Sequence, residues 1–267
     1  MDFKEKRTLG RTGLEVGPLG VAAGYGAPTA AFEEAFERGC NYFYWGSFRR
    51  SNMGEAIKNI SARGKRDELV VVIQVYNRIA GMMASSVERG LKKAKLDSAE
   101  VLLLGWYNSM PSPGIIEAAQ KIKERGLVKF LAMSGHHRPT FPVVAEKGIL
   151  DIIHIRYNAA HRGAETEIFP KLPEEGKPGI VTYTATRWGA LLKQRKMPPG
   201  ENLPRGSDCY RFVLSNSNVD VCMSGPKNRK EMQEALQTLE RGPMSTEEMD
   251  WMKRVGDHVH RQGWFAG

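Results

Sequence analysis

The segment LVVVIQV, residues 69–75, is a run of apolar residues interrupted only by Gln74. Similar runs recur along the chain, at residues 101–104, 128–133, 149–155, 179–183 and 219–223. Strands that are apolar on both faces are typical of a parallel sheet covered by helices, and the intervening stretches have helical periodicity. About eight such strand–helix units in 267 residues match the size of a (β/α)8 barrel. We therefore predict an α/β fold, a (β/α)8 TIM barrel, with functional residues at the carboxyl ends of its strands.

The two ends of the chain add elements to this barrel. The segment RTLGRTGLEV, residues 7–16, alternates around Thr12 and Gly13, which predicts an N-terminal β-hairpin that closes the barrel bottom. Near the other end, Ser245 and Glu248 have the spacing of a helix capping box, which predicts an extra C-terminal helix packed outside the barrel. No linker rich in Pro, Gly or Ser divides the chain, so we expect residues 1–267 to form a single domain.

The composition argues against several classes of function. The chain has a formal net charge of +9, but its cationic residues are spread out and aromatic residues do not alternate with them, so we expect no nucleic-acid partner. The polar start MDFKEKRTLG lacks the apolar stretch of a signal peptide, and no apolar segment is long enough to span a membrane. We therefore expect a cytoplasmic protein without a membrane partner. The cysteines and histidines show no ligand spacing, so we expect reduced thiols and no metal.

Six segments resemble one known family in sequence, order and spacing, and one of them, IRYNAAHRGAETEIFP (residues 155–170), is similar to VEYN followed by a helix. LGRTGLEV (residues 9–16) is similar to that family's N-terminal hairpin, GCNYFYW (39–45) to a strand reading like GINFFDT, and LDSAEVLLLGW (96–106) to TDYIDLLLLHW. KERGLVKFLAMSGH (123–136) resembles KEGKIRAIGVSN, and MSGPKNRKEMQEAL (223–236) resembles the phosphate-site run PGARNPEQLEEN. Over nearly its whole length the chain resembles the aldo-keto reductase superfamily.

This resemblance implies hydride transfer between NADP(H) and a small carbonyl compound. Reduction places negative charge on the carbonyl oxygen, so the site needs an acid and hydrogen-bond donors there. The family uses a Tyr acid whose pKa is lowered by a Lys, itself paired with an Asp, and a His that orients the substrate. The cofactor supplies the hydride, and the protein supplies the geometry and the acid.

All four of those residue types are replaced in this chain. Tyr44 stands where the family has its Asp, Gln74 where it has its Lys, and Gly105 where it has its His. The loop that should carry the acidic Tyr reads SFRR, residues 47–50, with Phe48 at the equivalent position. Gln cannot supply the positive charge that lowers the pKa of a phenol, and Gly has no side chain to bind a substrate. We therefore expect a remodelled catalytic site.

The positions that the resemblance assigns to cofactor binding are better retained. Ser134 matches a residue that contacts the nicotinamide carboxamide, Tyr183 matches the aromatic ring on which the nicotinamide stacks, and His154 replaces the usual Gln. The phosphate-binding segment corresponds to Gly225, Lys227, Asn228, Arg229 and Glu234. A helix N-terminus and cations suit the 2′-phosphate of NADP(H), although Glu231 and Ala235 replace two family residues there.

Tyr44 and His136 are the candidate acids of the remodelled site, because each lies at the carboxyl end of a predicted strand. Either could be structural instead. The leading hypothesis is an NADP(H)-dependent oxidoreductase of aldo-keto reductase type that acts on a small carbonyl substrate. The alternative is a catalytically inactive barrel that binds the cofactor or a ligand as a regulatory or partner subunit. A third hypothesis is cofactor-independent acid–base chemistry in the same pocket.

Overall fold

The computed structural model of the protein describes residues 2–46 and 52–262. Two short antiparallel strands, β1 (Arg7–Thr8) and β2 (Glu15–Val16), precede a closed barrel of eight parallel strands. The barrel strands are β3 (Leu19–Ala22), β4 (Tyr42–Trp45), β5 (Val70–Val75), β6 (Ala99–Leu104), β7 (Val128–Ser134), β8 (Ile152–Arg156), β9 (Gly179–Tyr183) and β10 (Val221–Ser224). Neighbours in the barrel follow the chain order, and β10 pairs with β3. The predicted (β/α)8 barrel is confirmed.

The α-helices of the described residues connect these strands and follow the last one. They are α1 (Thr29–Glu37), α2 (Asn52–Ala62), α3 (Met83–Ala94), α4 (Pro113–Glu124), α5 (Thr140–Glu146), α6 (Ala164–Glu167), α7 (Gly206–Leu214), α8 (Arg229–Arg241) and α9 (Thr246–Arg261). Because each connecting helix returns the chain to the start of the next parallel strand, the loops after the strands gather at one end of the barrel.

Both faces of the barrel strands are buried, as the apolar runs predict. One apolar cluster, which includes Val72 and Leu103, fills the barrel interior. A larger cluster, which includes Ile73 and Leu102, lies between the strands and the helices. Successive side chains of a strand point to opposite faces, so residues two apart share a face. This alternation decides which side chains reach the open end of the barrel.

The N-terminal hairpin is present but shorter than the sequence suggests. It pairs Arg7 with Val16, and its connection contains one turn of 3-10 helix, Gly10–Thr12. That turn ends at Gly13, which has the left-handed backbone conformation with φ 69°. Leu9, from the same connection, is buried in the interior cluster of the barrel. The hairpin therefore closes the barrel bottom, as predicted.

The C-terminal helix α9 begins with the predicted capping box. Ser245 Oγ accepts the N–H of Glu248 at 3.2 Å, and Glu248 Oε2 accepts the N–H of Ser245 at 2.9 Å. The helix lies outside the barrel but packs against the loop after β8, because a side chain at Gly256 would overlap a carbonyl of that loop. The His260 ring lies 5.1 Å from the His161 ring of the loop. The helix therefore contacts the functional end of the barrel.

Two further observations apply to the part of the chain that the structure describes. No helix there is long and apolar enough to cross a membrane, and no three His, Cys, Asp or Glu side chains cluster as a metal site. Cys40, Cys209 and Cys222 are buried and form no disulfide. The cytoplasmic location stays a prediction.

Candidate active site

A cleft of about 630 Å³ opens at the carboxyl ends of the barrel strands. This volume lies in the range of sites for small molecules and cofactors. The polar and aromatic side chains along its walls include Tyr44, Gln74, Tyr76, Ser134, His136, His154 and Tyr183.

The floor of the cleft contains a buried pair from β4 and β8. Tyr42 and Tyr44 lie two residues apart on β4 and share its inward face. Tyr42 is fully buried, and its Oη hydrogen-bonds to Nε2 of His154 at 2.8 Å. Burial lowers the pKa of His154 to about 3, so the ring is neutral at physiological pH. His154 lines the cleft, and the pair therefore belongs to its floor.

Tyr44 lines the cleft above this pair, and Gly46 leaves room for its ring. A Cβ at Gly46 would overlap that ring. Tyr44 Oη lies 3.4 Å from Oη of Tyr76, whose side chain is exposed. Burial raises the pKa of Tyr44, and the neighbouring hydroxyls of Tyr76, Tyr25 and Tyr42 raise it further. Tyr44 therefore keeps its proton and can donate a hydrogen bond, but it is a weaker acid than an ordinary tyrosine.

Gln74 and Gly105 lie side by side at the ends of β5 and β6. Gly105 donates its N–H to the Val75 carbonyl at 3.0 Å, and a Cβ on Gly105 would overlap Nε2 of Gln74. The absence of a side chain at Gly105 therefore leaves room for the Gln74 amide. Gln74 is 5% exposed, and its Oε1 has no hydrogen-bond partner within residues 2–46 and 52–262. A buried acceptor is costly unless a ligand or water satisfies it.

The loop after β6 is held by Arg78 and Ser134. Arg78 Nη2 donates to the Gly105 carbonyl at 3.2 Å, and its guanidinium lies 3.6 Å from the centre of the Tyr107 ring. Trp106 has the left-handed backbone conformation, with φ 58°, and donates its N–H to Ser134 Oγ at 3.1 Å. The Trp106 indole lines the cleft and is largely exposed. The loop thus presents an aromatic surface to a ligand that enters.

Tyr183, at the end of β9, reaches across to the loop after β7. Its Oη donates to the Gly135 carbonyl at 2.5 Å and lies 3.3 Å from Nδ1 of His136. A side chain at Gly135 would overlap the Tyr107 carbonyl, so a glycine is needed at this position. Burial lowers the pKa of His136, and the charge of Arg156 lowers it further. His136 is therefore mainly neutral at neutral pH, and its role as an acid stays a prediction.

The segment before α8 supplies another wall of the cleft. Asn228 caps α8 by accepting the N–H of Glu231 at 2.9 Å, and Glu231 Oε2 accepts the N–H of Lys227 at 2.9 Å. Glu234 Oε1 accepts hydrogen bonds from both the N–H and the hydroxyl of Ser207. Lys227, Glu231 and Glu234 line the cleft, so one cation and two carboxylates face a ligand at this wall.

The structure brings most of the predicted site residues to this one cleft. Those that line it are Tyr44, Gln74, Ser134, His136, His154, Tyr183, Gly225, Lys227 and Glu234. Gly105 adjoins Gln74 directly. Asn228 and Arg229 do not line the cleft, because Asn228 caps α8 and Arg229 forms an ion pair with a glutamate of α1. Phe48 lies outside the described residues.

Tyr25 and Tyr76 are cleft residues that sequence reasoning missed. The Tyr25 ring packs on Gly225, where a Cβ would overlap it. Tyr76 follows Gln74 by two residues and so continues the inward face of β5 beyond the strand end. That spacing is a signal for Tyr76. Tyr25 has no comparable signal, because it belongs to a Gly-rich loop whose path the sequence does not define.

A model of the aldo/keto reductase family matches residues 29–208, which is more than half of the chain. The chain belongs to the aldo/keto reductase family. The holo form of the aldo-keto reductase AKR11C1 from Bacillus halodurans is structurally similar, with a TM-score of 0.75, 19% sequence identity, and coverage of 94% of this chain and 96% of that chain. For the apo form the TM-score is 0.72 and the identity 21%, with coverage of 94% and 95%. At these identities the likeness shows the shared fold. No curated protein sequence matches the chain.

In this member of the family, the positions predicted to be catalytic lie at the strand ends. Tyr44, Gln74 and Gly105, which stand at three of the four expected catalytic positions, adjoin one cleft. None of the three residues has a charged side chain at neutral pH, because Gly105 has none, Gln74 is neutral and the raised pKa keeps Tyr44 protonated. The three positions therefore offer hydrogen-bond donors and one unsatisfied acceptor.

Proposed function

We propose that this aldo/keto reductase is an NADP(H)-dependent oxidoreductase that acts on a small carbonyl compound in the cytoplasm through a remodelled catalytic site. The observation that carries the proposal is the placement of Tyr44 and Gln74 in one cleft, where a protonated hydroxyl lies with a buried acceptor that lacks a partner. Membership of the family supports oxidoreductase chemistry. The size of the cleft supports a small-molecule ligand.

The residues present fit a nicotinamide dinucleotide. Tyr183 would provide a ring for stacking, Ser134 would provide a hydroxyl, and the carboxamide of the nicotinamide would satisfy the buried Oε1 of Gln74. At the wall before α8, Lys227 suits a phosphate, whereas Glu231 suits ribose hydroxyls. When bound, the reduced cofactor supplies a hydride to the carbonyl carbon.

Tyr44 would hold the carbonyl oxygen by donating a hydrogen bond from its hydroxyl. Its raised pKa keeps that hydroxyl protonated, and Nε2 of Gln74 is a second donor in the same cleft. Donors that are fixed in a partly buried site stabilise the negative charge that develops on the oxygen. The proton that completes the alcohol comes from Tyr44. Water then restores the proton of Tyr44 through the hydroxyl of the exposed Tyr76, whose Oη lies 3.4 Å from that of Tyr44.

A second candidate function is supported by the pKa of Tyr44. Burial and the neighbouring tyrosine hydroxyls all raise this pKa, and no described cation opposes them. General acid catalysis is most efficient when the pKa of the acid lies near the operating pH. A barrel with this site could therefore bind the cofactor or a ligand without turnover and serve as a regulatory or partner subunit.

The experiment that separates the two candidates measures binding and turnover independently. The fluorescence of NADPH and of NADH is followed during titration with the protein, and a panel of aldehydes and ketones is then screened for oxidation of the cofactor. We expect NADPH to bind and at least one carbonyl compound to be reduced. Binding without turnover across the panel would support the inactive barrel. Failure of both nucleotides to bind would overturn the proposed function.

Lys227→Gln sharpens the test of the nucleotide. We expect it to weaken NADPH binding by about tenfold and to leave NADH binding nearly unchanged, because only NADPH carries a 2′-phosphate for a cation to bind. Lys147→Gln is the matched control, since Lys147 follows α5 at the opposite end of the barrel and its loss changes the net charge equally. Equal weakening of the two nucleotides by Lys227→Gln would contradict the assignment of Lys227 to the 2′-phosphate.

A further inference from the structure

Three successive barrel strands lead to an arginine at the open end of the barrel. Arg138 lies four residues after the end of β7, Arg156 is the last residue of β8, and Arg187 lies four residues after the end of β9. Burial lowers the pKa of Arg156, and the charges of Arg138 and Arg187 lower it further against an opposing effect of Tyr183. The charges of Arg138 and Arg187 therefore act on Arg156, and the three arginines at these strand ends are called the positive rim.

Two of the three arginines in this positive rim already have partners. Arg138 Nε lies 2.7 Å from Oε1 of Glu167, in an ion pair. Arg187 is 5% exposed and donates to the Val259 carbonyl of α9. Arg156 is half-buried, and within the described residues its side chain makes no hydrogen bond, ion pair or ring contact. A charged side chain that is partly buried without a partner is uncommon.

Arg156 lies at the end of β8, beside residues that line the cleft. It follows His154 by two residues and continues the inward face of β8. In the barrel it pairs in register with Tyr183 of β9. Its charge also contributes to the lowered pKa of His136, after the larger effect of burial. Arg156 does not itself line the cleft, but its neighbours His154, Tyr183 and His136 do, so the guanidinium lies beside the cleft.

A second polar group without a partner lies on the loop after β8. Nε2 of His161 is buried and has no hydrogen-bond partner in the described part of the chain, and the residue is 5% exposed. Burial, followed by the charges of Arg156, Arg187 and other cations, lowers the pKa of His161 to about 3. The imidazole is therefore neutral at physiological pH. A second hydrogen-bonding group thus lies within the field of the positive rim.

We propose that Arg156 binds the carboxylate or phosphate group of an anionic small molecule, and that the substrate of this protein is a carbonyl compound that carries such a group. The substrate assignment rests on the proposed function, because it concerns a ligand of the same cleft. A guanidinium pairs with a carboxylate or phosphate through two parallel hydrogen bonds, which fixes orientation as well as charge. With its anionic group at Arg156, the ligand extends past Tyr183 towards Tyr44.

The charges of the positive rim favour an anion over a neutral ligand. Arg138, Arg156 and Arg187 bring three positive charges to the ends of adjacent strands, and Glu167 pairs with Arg138. A partly buried positive field attracts an anion more strongly than the same charges would in open water, and salt screens it less. A neutral ligand would leave the Arg156 guanidinium without a partner, as it is in the protein alone.

The binding step is tested without cofactor by isothermal titration calorimetry. The probes are benzoate and phenyl phosphate, which carry the two anionic groups, and benzamide, which is a neutral analogue of benzoate. We expect at least one anion to bind about tenfold or more tightly than benzamide, and Arg156→Gln to abolish this preference. Arg63→Gln is the matched control, because Arg63 follows α2 at the opposite end of the barrel and carries the same charge. This control should keep the preference.

Several outcomes would overturn the proposal. They are failure of both anions to bind to the wild-type protein, equal affinity for anion and amide, and equal losses in Arg156→Gln and Arg63→Gln. Arg156→Lys guards against a folding defect, since it keeps the charge but loses the paired hydrogen bonds. We expect it to retain part of the preference, and a variant that binds as tightly as the wild type would contradict bidentate binding by Arg156.

A competition experiment distinguishes a substrate site from a phosphate site of the cofactor. If NADPH leaves the binding of benzoate and phenyl phosphate unchanged, the anion belongs to the substrate, as proposed. If NADPH displaces them, the substrate assignment is overturned. The proposed function can also fail separately: a protein that binds no nucleotide but shows the Arg156-dependent preference has an anion site without being an NADP(H) oxidoreductase.

Discussion

Tyr42 and Tyr44 occupy the same face of the same strand, yet their surroundings differ. Tyr42 lies in the lower layer of the barrel interior, is fully buried and hydrogen-bonds to His154 at 2.8 Å. Tyr44 lies one layer higher and meets the Tyr76 hydroxyl at 3.4 Å, at the limit of a hydrogen bond. The lower layer is thus closed by contacts within the chain, whereas the upper layer is open to a ligand.

The same contrast holds for the amide and charged groups around the two layers. Gln74 Oε1 faces the upper layer and the Arg156 side chain lies beside it, and neither has a partner among residues 2–46 and 52–262. Within the lower layer, Nε2 of His154 is satisfied by the Tyr42 hydroxyl at 2.8 Å. Buried polar groups that a chain leaves unsatisfied mark places where a ligand, an ion or water completes the hydrogen bonds. The difference between the layers therefore separates side chains that hold the barrel from side chains available to a ligand.

The largest expected effect that follows from this contrast is on turnover. Tyr44→Phe should reduce the rate of carbonyl reduction by about a hundredfold or more, because it removes the proposed donor to the oxygen. The same variant should change the free energy of unfolding by less than about 0.5 kcal/mol, since the contact with Tyr76 is weak. Steady-state kinetics and urea denaturation measure the two effects. Turnover at the wild-type rate would remove Tyr44 from the proposed mechanism.

Tyr42→Phe is the matched substitution one layer below. It should have a large effect on stability and a small effect on turnover. It leaves Nε2 of the buried His154 without its partner, which costs about 1–3 kcal/mol of unfolding free energy. Urea denaturation of Tyr42→Phe and Tyr44→Phe under identical conditions compares the layers directly. If the two variants lose equal stability, the distinction between a closed and an open layer is wrong.

Much of the barrel could be predicted from the sequence because burial on both faces of a strand leaves a strong pattern. The run at residues 69–75 differs from β5 by one residue, and the run at residues 179–183 coincides with β9. Alternation along each strand then placed Tyr44 and Gln74 towards a common cleft, where the structure has them. Helix α7 (Gly206–Leu214) was not predicted. Nearly all of its residues are buried, so it lacks the polar face that identifies a helix in a sequence.

The unsatisfied groups of the site could not be predicted, because each depends on contacts between distant parts of the chain. Gln74 takes its position because Gly105 has no side chain, and Oε1 is left without a partner. Arg138 and Arg187 have partners on α6 and α9, whereas the Arg156 side chain has none among the described residues. A sequence shows that a residue type is present at a strand end. It does not show whether another element already satisfies it.

The buried His154 of the lower layer should make stability depend on pH. Its pKa is about 3 in the folded protein and 6.5 when unperturbed, so the unfolded chain binds a proton that the folded chain does not. The resulting stabilisation is fully present above pH 6.5 and is lost as the pH falls towards 3. We expect a loss of about 1.4 kcal/mol per pH unit within this range, relative to His154→Gln. Urea denaturation at several pH values measures the unfolding free energy of the wild type and of His154→Gln. Parallel plots of this free energy against pH would contradict a neutral buried His154.

The smallest expected effect concerns Gln74, the unsatisfied group of the upper layer. Gln74→Met keeps a similar volume and removes the buried Oε1 that has no partner, so it should raise the free energy of unfolding by up to about 1 kcal/mol in the absence of ligand. The same substitution should weaken the binding of NADPH and slow turnover, since the acceptor for the carboxamide and the donor to the carbonyl oxygen are both lost. A gain of stability together with weaker binding would identify Gln74 as a side chain kept for a ligand. A loss of more than about 1 kcal/mol would instead show that the Gln74 amide holds the end of the barrel, and the upper layer would then be closed like the lower one.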